Sequence, residues 1–453
     1  MEYMPVLMNT KSIQFSFVHQ RALGSDSANL TSNLSLTLLC SRKTSCKFVL
    51  HHVQCQQALR YILYDVNPPE GFNLRRDVYV RMAVFIHNLN QADKIYQWNL
   101  VLPPWDHLYH WRSHDIGEQS GIPWGVFYDV PSLMRFIPVL EMHQFFKDYD
   151  STNGVLTLDR VFVLQTDPKI FENNDFRDRN EVTTCDEQNI RFKKLSGDKV
   201  KGYFWGYTNI TAKDVQCLLF HGTASNLVQN LEPGLYKSYM FDHVEIPLHD
   251  SYGSQNFWRA RRSMRFNPEL DGIAQKFRRR HLNSTDDNDK TIRPQNWLDE
   301  EEQRSAVGGA YLAVHWRRKD FLIGRSDYVA SVSKTARQLK KIIKKLGLDT
   351  IFIATDGSDH EFEELKLQLG NYKVVRYIPP YDVRKNFKDG GVAIVDQIIC
   401  SHARYFIGTY ESTFTFRIQE EREIIGFPVE TTFNIICWKD EECAPQSQWK
   451  ITW

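Results

Sequence analysis

The sequence predicts an α/β protein of two domains facing a cleft. Two patterns carry that expectation: strand–helix units that alternate four times between about residues 308 and 426, and a strand, tight loop and helix near residues 60–89. Such alternation implies a parallel sheet with crossover helices, whose ligands sit outside the carboxyl ends of the strands. Composition agrees with folded domains. The 453 residues are 42% hydrophobic and 13% aromatic, with 56 basic and 55 acidic side chains giving a net charge of +1. A disordered chain lacks that apolar content, and a protein that grips nucleic acid by bulk charge shows a basic excess. The length fits about two or three domains. Apolar runs such as Met82 to Ile86 fall far short of the roughly 18 residues that cross a bilayer, so no membrane span is expected.

Residues 1–56 are expected to be an atypical leader, disordered or misassembled. Met1 to Gln20 mixes polar and apolar residues where a secretory signal needs an apolar core. From residue 57 the elements become regular. Arg60 to Val66 is short and rich in β-formers, hence a buried strand. Asn67-Pro-Pro-Glu-Gly-Phe-Asn73 forbids both helix and ladder. Leu74 to Leu89 places Val78, Met82, Phe85 and Ile86 at helical spacing. Tyr96 to Leu102 is the next strand, ended by Pro103-Pro104. Residues 105 to 300 resist parsing, with aromatic-rich turns and basic clusters at Arg259 to Arg265 and Arg278 to His281. The polar stretch Asp286 to Gln295 and the acidic run Asp299 to Glu302 read as a linker, which divides the chain into domains 57–300 and 301–453. In the second domain strands are expected at Ala310 to His315, Asp349 to Thr355, Tyr372 to Ile378 and Tyr405 to Gly408. Helices are expected at Tyr328 to Lys345, His360 to Leu369, Val392 to His402 and Thr413 to Ile425.

Three motifs can carry chemistry. Glu70 lies between Pro69 and Gly71 just before a helix, where it is either a capping or solvated acid or a general base whose pKa is raised by partial burial. His315-Trp316-Arg317-Arg318-Lys319 ends a strand; it is either a solvated basic patch or, at Arg317, a planar fork for a diphosphate. Ser412 and Thr413 stand at a helix start, as ordinary caps or as an anion site. Asp396 is either an exposed helix acid or an acceptor for guanine N1–H and N2–H. Nucleotide-binding signatures of the Gly-x-Gly-x-x-Gly and Walker A types are absent, as is the paired Cys-x-x-Cys spacing of zinc sites. Sequons at Asn29, Asn33, Asn209 and Asn283 point to a glycosylating lumen. A base on one domain and a diphosphate cradle on the other suit a nucleotide-sugar transferase.

The stretches Tyr64 to Tyr79, His315 to Phe321 and Gly408 to Phe416 closely resemble the GDP-fucose protein O-fucosyltransferases, in particular the branch that acts on thrombospondin type 1 repeats. The similarity runs from about residue 57 to the C-terminus. It implies a GT-B type fold of two Rossmann-like domains and inverting transfer of fucose from GDP-β-L-fucose to Ser or Thr of folded thrombospondin type 1 repeats in the endoplasmic reticulum. No metal or other cofactor is expected, and no nucleic-acid partner. Carried over by the resemblance, Glu70 is the base, assisted by Arg317. Pro69, Gly71, Phe72, Asn73, His315, Trp316, Asp396, Ser412, Thr413 and Phe414 join those two in holding the donor, and Glu421 is required without an evident role. The resemblance also pairs Cys185 with Cys217 and Cys437 with Cys443. Cys400 is left as a buried thiol, while Cys40, Cys46 and Cys55 match nothing in the family. The competing functions are a fucosyltransferase for another small disulfide-rich module and a non-catalytic chaperone that binds GDP-fucose or the repeats.

Overall fold

Alternating apolar residues in Ala58–Tyr64, buried over its last four positions, make the central strand of the first sheet. The computed structural model describes residues 35–41, 45–51 and 57–453, other than 107, 150, 153, 168, 187–190, 195–198, 440–442 and 444–446. The chain forms two units, Met1–Gln56 and Gln57–Trp453. In the first, strands Ser35–Ser41 and Ser45–His51 pair antiparallel. The rest of the expected leader, the side chains of Cys40, Cys46 and Cys55, and the sequons at Asn29 and Asn33 lie outside the described residues.

In the larger unit the first sheet runs Val139–Glu141, Tyr96–Leu102, Ala58–Tyr64, Ser238–Asp242, Val155–Gln165 and Ile210–His221, all parallel. Short antiparallel strands extend it beyond Ile210–His221. Ala58–Tyr64 and Tyr96–Leu102 answer to the expected strands Arg60 to Val66 and Tyr96 to Leu102, with helix Phe72–Ala92 between them; the other strands lie in the region the sequence left unparsed. Its strands are joined by long irregular segments rather than by crossover helices of regular length, so no repeating period betrays them. The disulfide Cys185–Cys217 ties one such segment to the sheet.

The second sheet is four parallel strands in the order Lys373–Val375, Thr350–Thr355, Gly309–Trp316 and Ala403–Gly408. The expected alternation is present. Helix Thr413–Ile425 has the expected bounds, and helix Val332–Leu346 starts later than expected because Ser331 caps it, its side chain accepting the Lys334 N–H. Leu339 and Ile343 of that helix are fully buried on the sheet, each worth about 1.5–3 kcal/mol. Two differences have physical causes. The strand expected over Tyr372 to Ile378 shortens to Lys373–Val375, because it lies at the sheet edge and runs into Pro379-Pro380. The helix expected over Val392 to His402 begins at Tyr381, the Gly390-Gly391 pair having masked its first half, and it is interrupted at Lys388, where φ is 54°. Lys388 donates from Nζ to the Ile116 carbonyl at 2.9 Å and Asp389 accepts the Ser113 N–H at 3.0 Å, so contacts with the first sheet's side hold the interruption.

The expected linker over Asp286 to Gln295 is instead a packed strap. Asp289 is buried and accepts from Arg278 at 3.1 Å, and Arg262 lies over the buried Trp297 ring at 5.4 Å. Its charges pair internally with neighbouring elements, which composition alone could not distinguish from solvation. Cys437–Cys443 is bonded, and Cys400 is a buried free thiol.

Candidate active site

After Ala58–Tyr64 the chain turns at Asn67, where the Glu70 N–H donates to the Asn67 carbonyl at 3.0 Å. Gly71, extended and without a side-chain bond, is the N-cap of helix Phe72–Ala92. Glu70 therefore does not cap, and among the described residues its carboxylate has no hydrogen bond or ion pair. Arg75 grips the loop through its backbone instead, donating to the carbonyls of Glu70 at 3.1 Å and Pro68 at 3.2 Å. Glu245 accepts the Asn67 N–H at 3.0 Å. Half-burial raises the Glu70 carboxyl above its ordinary range, against the opposing charges of Arg75 and Arg81. Such an acid can take a proton near neutral pH. Pro69 is exposed on the turn, whereas Phe72 is buried against Trp105, ring centroids 4.8 Å apart, and Phe127 at 5.4 Å, so it anchors the loop to an aromatic wall.

The opposing residues come from the carboxyl ends of the second sheet. His315 and Trp316 face opposite sides of their strand. Trp316 packs in the core under Arg318, 4.8 Å from its ring centroid. His315 is buried, stacks on Phe414 at 4.3 Å and contacts Thr415 Oγ1 through Nδ1 at 2.8 Å. Burial and then the Arg317 charge hold its pKa well below the ordinary histidine value. Arg317 sits where three strands end: its N–H donates to Thr409 Oγ1 at 2.9 Å, and its guanidinium pairs with Asp356 and Asp320, both at 2.8 Å. Ser412, buried, is the N-cap of Thr413–Ile425 without making a side-chain cap bond. Thr413 is exposed and Phe414 half-buried. The first-turn N–H groups of that helix lack intrahelical partners, the condition for holding an anion.

His110 joins the two halves. A Cβ at residue 71 would lie 3.3 Å from His110 Nε2, and Arg317 Nη2 lies 3.3 Å from His110 Nδ1. One imidazole therefore separates the Glu70 loop from Arg317. Lost hydration and then the Arg317 charge bring its pKa down to about 4, leaving it neutral at pH 7. On helix Tyr381–Ser401, Asp396 Oδ1 is buried with no hydrogen-bond partner among the described residues, and burial pushes its carboxyl up to about 8. The Tyr377 hydroxyl is orphaned too. Buried polar atoms of folded proteins are rarely left unpaired, so Asp396 has the character of an acceptor awaiting donors. Among the described residues no group of three or more His, Cys, Asp or Glu is placed to hold a metal ion, and no helix is long and apolar enough to cross a membrane.

The sequence model of the GDP-fucose protein O-fucosyltransferases matches residues 61–425. The chain belongs to that family. GDP-fucose protein O-fucosyltransferase 2 of Homo sapiens is 43% identical over 400 residues, covering 87% of this chain and 90% of the relative. The Drosophila melanogaster protein of the same name is 40% identical over 414 residues, covering 87% and 82%. Among solved structures, POFUT1 in complex with GDP-fucose superposes with a TM-score of 0.52 at 15% identity, covering 84% of this chain and 99% of that one. That likeness shows the fold, which is GT-B. As a member of the O-fucosyltransferase family the chain is a glycosyltransferase.

Glu421, which the resemblance singled out, has a structural setting here, whereas His110, Arg417 and Asp77 were not legible beforehand. Glu421 is buried in this O-fucosyltransferase, paired with Arg261 at 3.0 Å and with Arg293. Burial alone would raise its carboxyl, but Arg293, Arg261 and Arg265 bring it down to about 2. It ties the helix that begins at Thr413 to helix Gln255–Ser263 and to the strap. Beside it, Arg417 joins Glu420 at 2.7 Å and Asp77 of the base-loop helix at 3.4 Å. His110 could have been found only through the density of aromatic residues around it, and no spacing in the sequence marks Arg417 or Asp77.

Proposed function

We propose that the chain transfers fucose from GDP-β-L-fucose to Ser or Thr hydroxyls of folded thrombospondin type 1 repeats, with inversion and without a metal cofactor, in the lumen of the endoplasmic reticulum. The observation that carries the reading is the approach of the base loop to Arg317 across His110. Glu70 takes the acceptor hydroxyl proton as that oxygen bonds to the fucose anomeric carbon. On the opposite face the bond from that carbon to the diphosphate oxygen breaks and GDP departs with its electron pair. One displacement inverts the configuration. Arg317 and the N-terminus of Thr413–Ile425 meet the charge growing on the diphosphate, where preorganised donors act most strongly. The orphaned Asp396 suits guanine N1–H and N2–H. Gly71, Asn73, His315, Ser412, Thr413 and Phe414 complete the donor site, with Pro69, Phe72 and Trp316 shaping it from behind. The bonded pairs Cys185–Cys217 and Cys437–Cys443 and the exposed sequons at Asn209 and Asn283 support an oxidising, glycosylating lumen.

The test is incubation of the purified protein with GDP-fucose and a folded thrombospondin type 1 repeat, read by mass spectrometry, beside a Glu70→Ala variant and an arm in EDTA. One fucose added by the parent protein in both buffers, and none by the variant, is expected. A repeat left unmodified while another disulfide-rich module is fucosylated would reassign the acceptor. Activity lost in EDTA and restored by manganese would overturn metal independence.

A further inference from the structure

We infer that Gln397 is a positioning residue for the donor: it fixes which end of the Asn73 side-chain amide is free to meet GDP-fucose. Asn73 stands in the first turn of the base-loop helix, and Gln397 stands on helix Tyr381–Ser401, next to Asp396. Between them lies Arg76, fully buried. Arg76 Nη1 is 2.6 Å from Gln397 Oε1 and 3.2 Å from Asn73 Oδ1, and Gln397 Nε2 is 2.8 Å from Asn73 Oδ1.

The three contacts allow only one arrangement. Guanidinium has no acceptor, so each amide atom facing Arg76 must be an oxygen. Gln397 then has its N–H end directed at Asn73, and the Asn73 oxygen accepts both bonds. Both lone pairs of that oxygen are used. The Asn73 Nδ2 amide, with two N–H donors, is left without a partner among the described residues. Arg76 cannot turn away, since its guanidinium lies over Phe266 at 5.2 Å, Tyr128 at 5.6 Å and Phe72 at 6.0 Å.

A free amide N–H pair beside the base loop is complementary to the acceptor oxygens of the donor, its phosphates or sugar hydroxyls. A reversed amide would offer those oxygens another oxygen. Because Gln397 adjoins Asp396, the helix proposed to read the guanine also sets the amide on the opposite side of the cleft.

The inference rests on the proposed place of Asn73 in the donor site, and a double-mutant cycle separates the two. GDP-fucose binding is measured by calorimetry for the parent, Asn73→Ala, Gln397→Glu and the double variant. A carboxylate at 397 still pairs with Arg76 but cannot donate to Asn73, so it favours the reversed Asn73 amide, N–H end toward 397 and oxygen toward the donor, with only the longer 3.2 Å Arg76 contact left to oppose the turn. Gln397→Glu is expected to weaken binding roughly tenfold to a hundredfold, the range for a lost hydrogen bond to a charged group, and to add less than about twofold once Asn73 is alanine. Gln397→Met, which frees the amide without reversing it, should show a smaller loss with the same dependence on Asn73. Equal losses from Gln397→Glu in both backgrounds, or none in either, overturn the inference. An Asn73→Ala protein that binds GDP-fucose like the parent removes the donor-site role of Asn73 itself, and the inference with it.

Discussion

Glu70 and Asp396 are two carboxylates raised by the same cause, burial, and the proposed reaction sets them to opposite tasks. For Glu70, burial outweighs Arg75 and Arg81, and the base is competent only when ionised. Activity should therefore fall as pH drops through a value above the ordinary glutamate pKa of about 4.3. Glu70→Gln should lose about 10² to 10⁴ in kcat, a loss in the chemical step that exceeds any change in GDP-fucose affinity. An acid limb of kcat/KM at or below the ordinary value would contradict this. For Asp396, whose carboxyl is brought up to about 8 by burial, roughly nine-tenths is protonated at pH 7, whereas accepting two guanine N–H groups requires the anion. Binding GDP at pH 7 should release on the order of one proton, and affinity should rise about tenfold per pH unit up to 8. Calorimetry in buffers of different ionisation enthalpy reads the proton directly, and Asp396→Asn should abolish it. The sequence singled out both acids, Glu70 by its Pro-Glu-Gly loop and Asp396 by its place in a strand–helix unit, and the family resemblance supplied the roles proposed for them. His110, Arg76 and Gln397 were not. Their meaning lies in partners 207 and 321 residues away, a distance no local spacing records.

Among elements, the helix Thr413–Ile425 shows how a sequence motif can be right in outline and silent about support. Its start and end were legible from the small polar residues of Ser412-Thr413 and the closing Gly426, which is left-handed at φ 92°. What fixes it in place was not: Arg261 reaches Glu420 at 2.7 Å and Glu421 at 3.0 Å, and Arg293 comes from the strap that reads as a solvated linker. A buried carboxylate between two arginines is costly to remove singly, because the arginines remain. Glu421→Gln is expected to destabilise the protein by about 3–5 kcal/mol, and activity should be lost in step with folding, as followed by urea unfolding and by transfer assays on the folded fraction. A depressed carboxyl pKa contributes its stability above the unfolded value, so this contribution should fade as pH falls from about 4.3 toward about 2. An unfolding midpoint unchanged in Glu421→Gln, with transfer abolished, would place Glu421 in the chemistry instead.

For the whole molecule, the proposed donor site depends on how closely helix Tyr381–Ser401 approaches the aromatic wall behind the Glu70 loop. Polar contacts set the approach: Asp389 accepts from Gln119 Nε2 at 3.1 Å and from the Ser113 N–H at 3.0 Å. Gly390 permits it, since a Cβ there would lie 2.7 Å from Phe127 Cζ and 2.8 Å from Trp111 Cζ2, inside any real contact. That helix carries Asp396 and Gln397, whereas Phe127 packs against Phe72 of the base loop. One methyl group at position 390 should therefore act as a wedge between the two halves of the donor site. Gly390→Ala is expected to cost about 1–3 kcal/mol, the usual range for overpacking, with a lower Tm and weaker GDP-fucose binding together. Phe127→Leu removes the ring carbon that the methyl meets first, so the double variant should recover donor affinity relative to Gly390→Ala alone. If Gly390→Ala kept both Tm and affinity, the separation of the two sides would not be set here. A loss of affinity left unrelieved by Phe127→Leu would place the wedge against Trp111 instead.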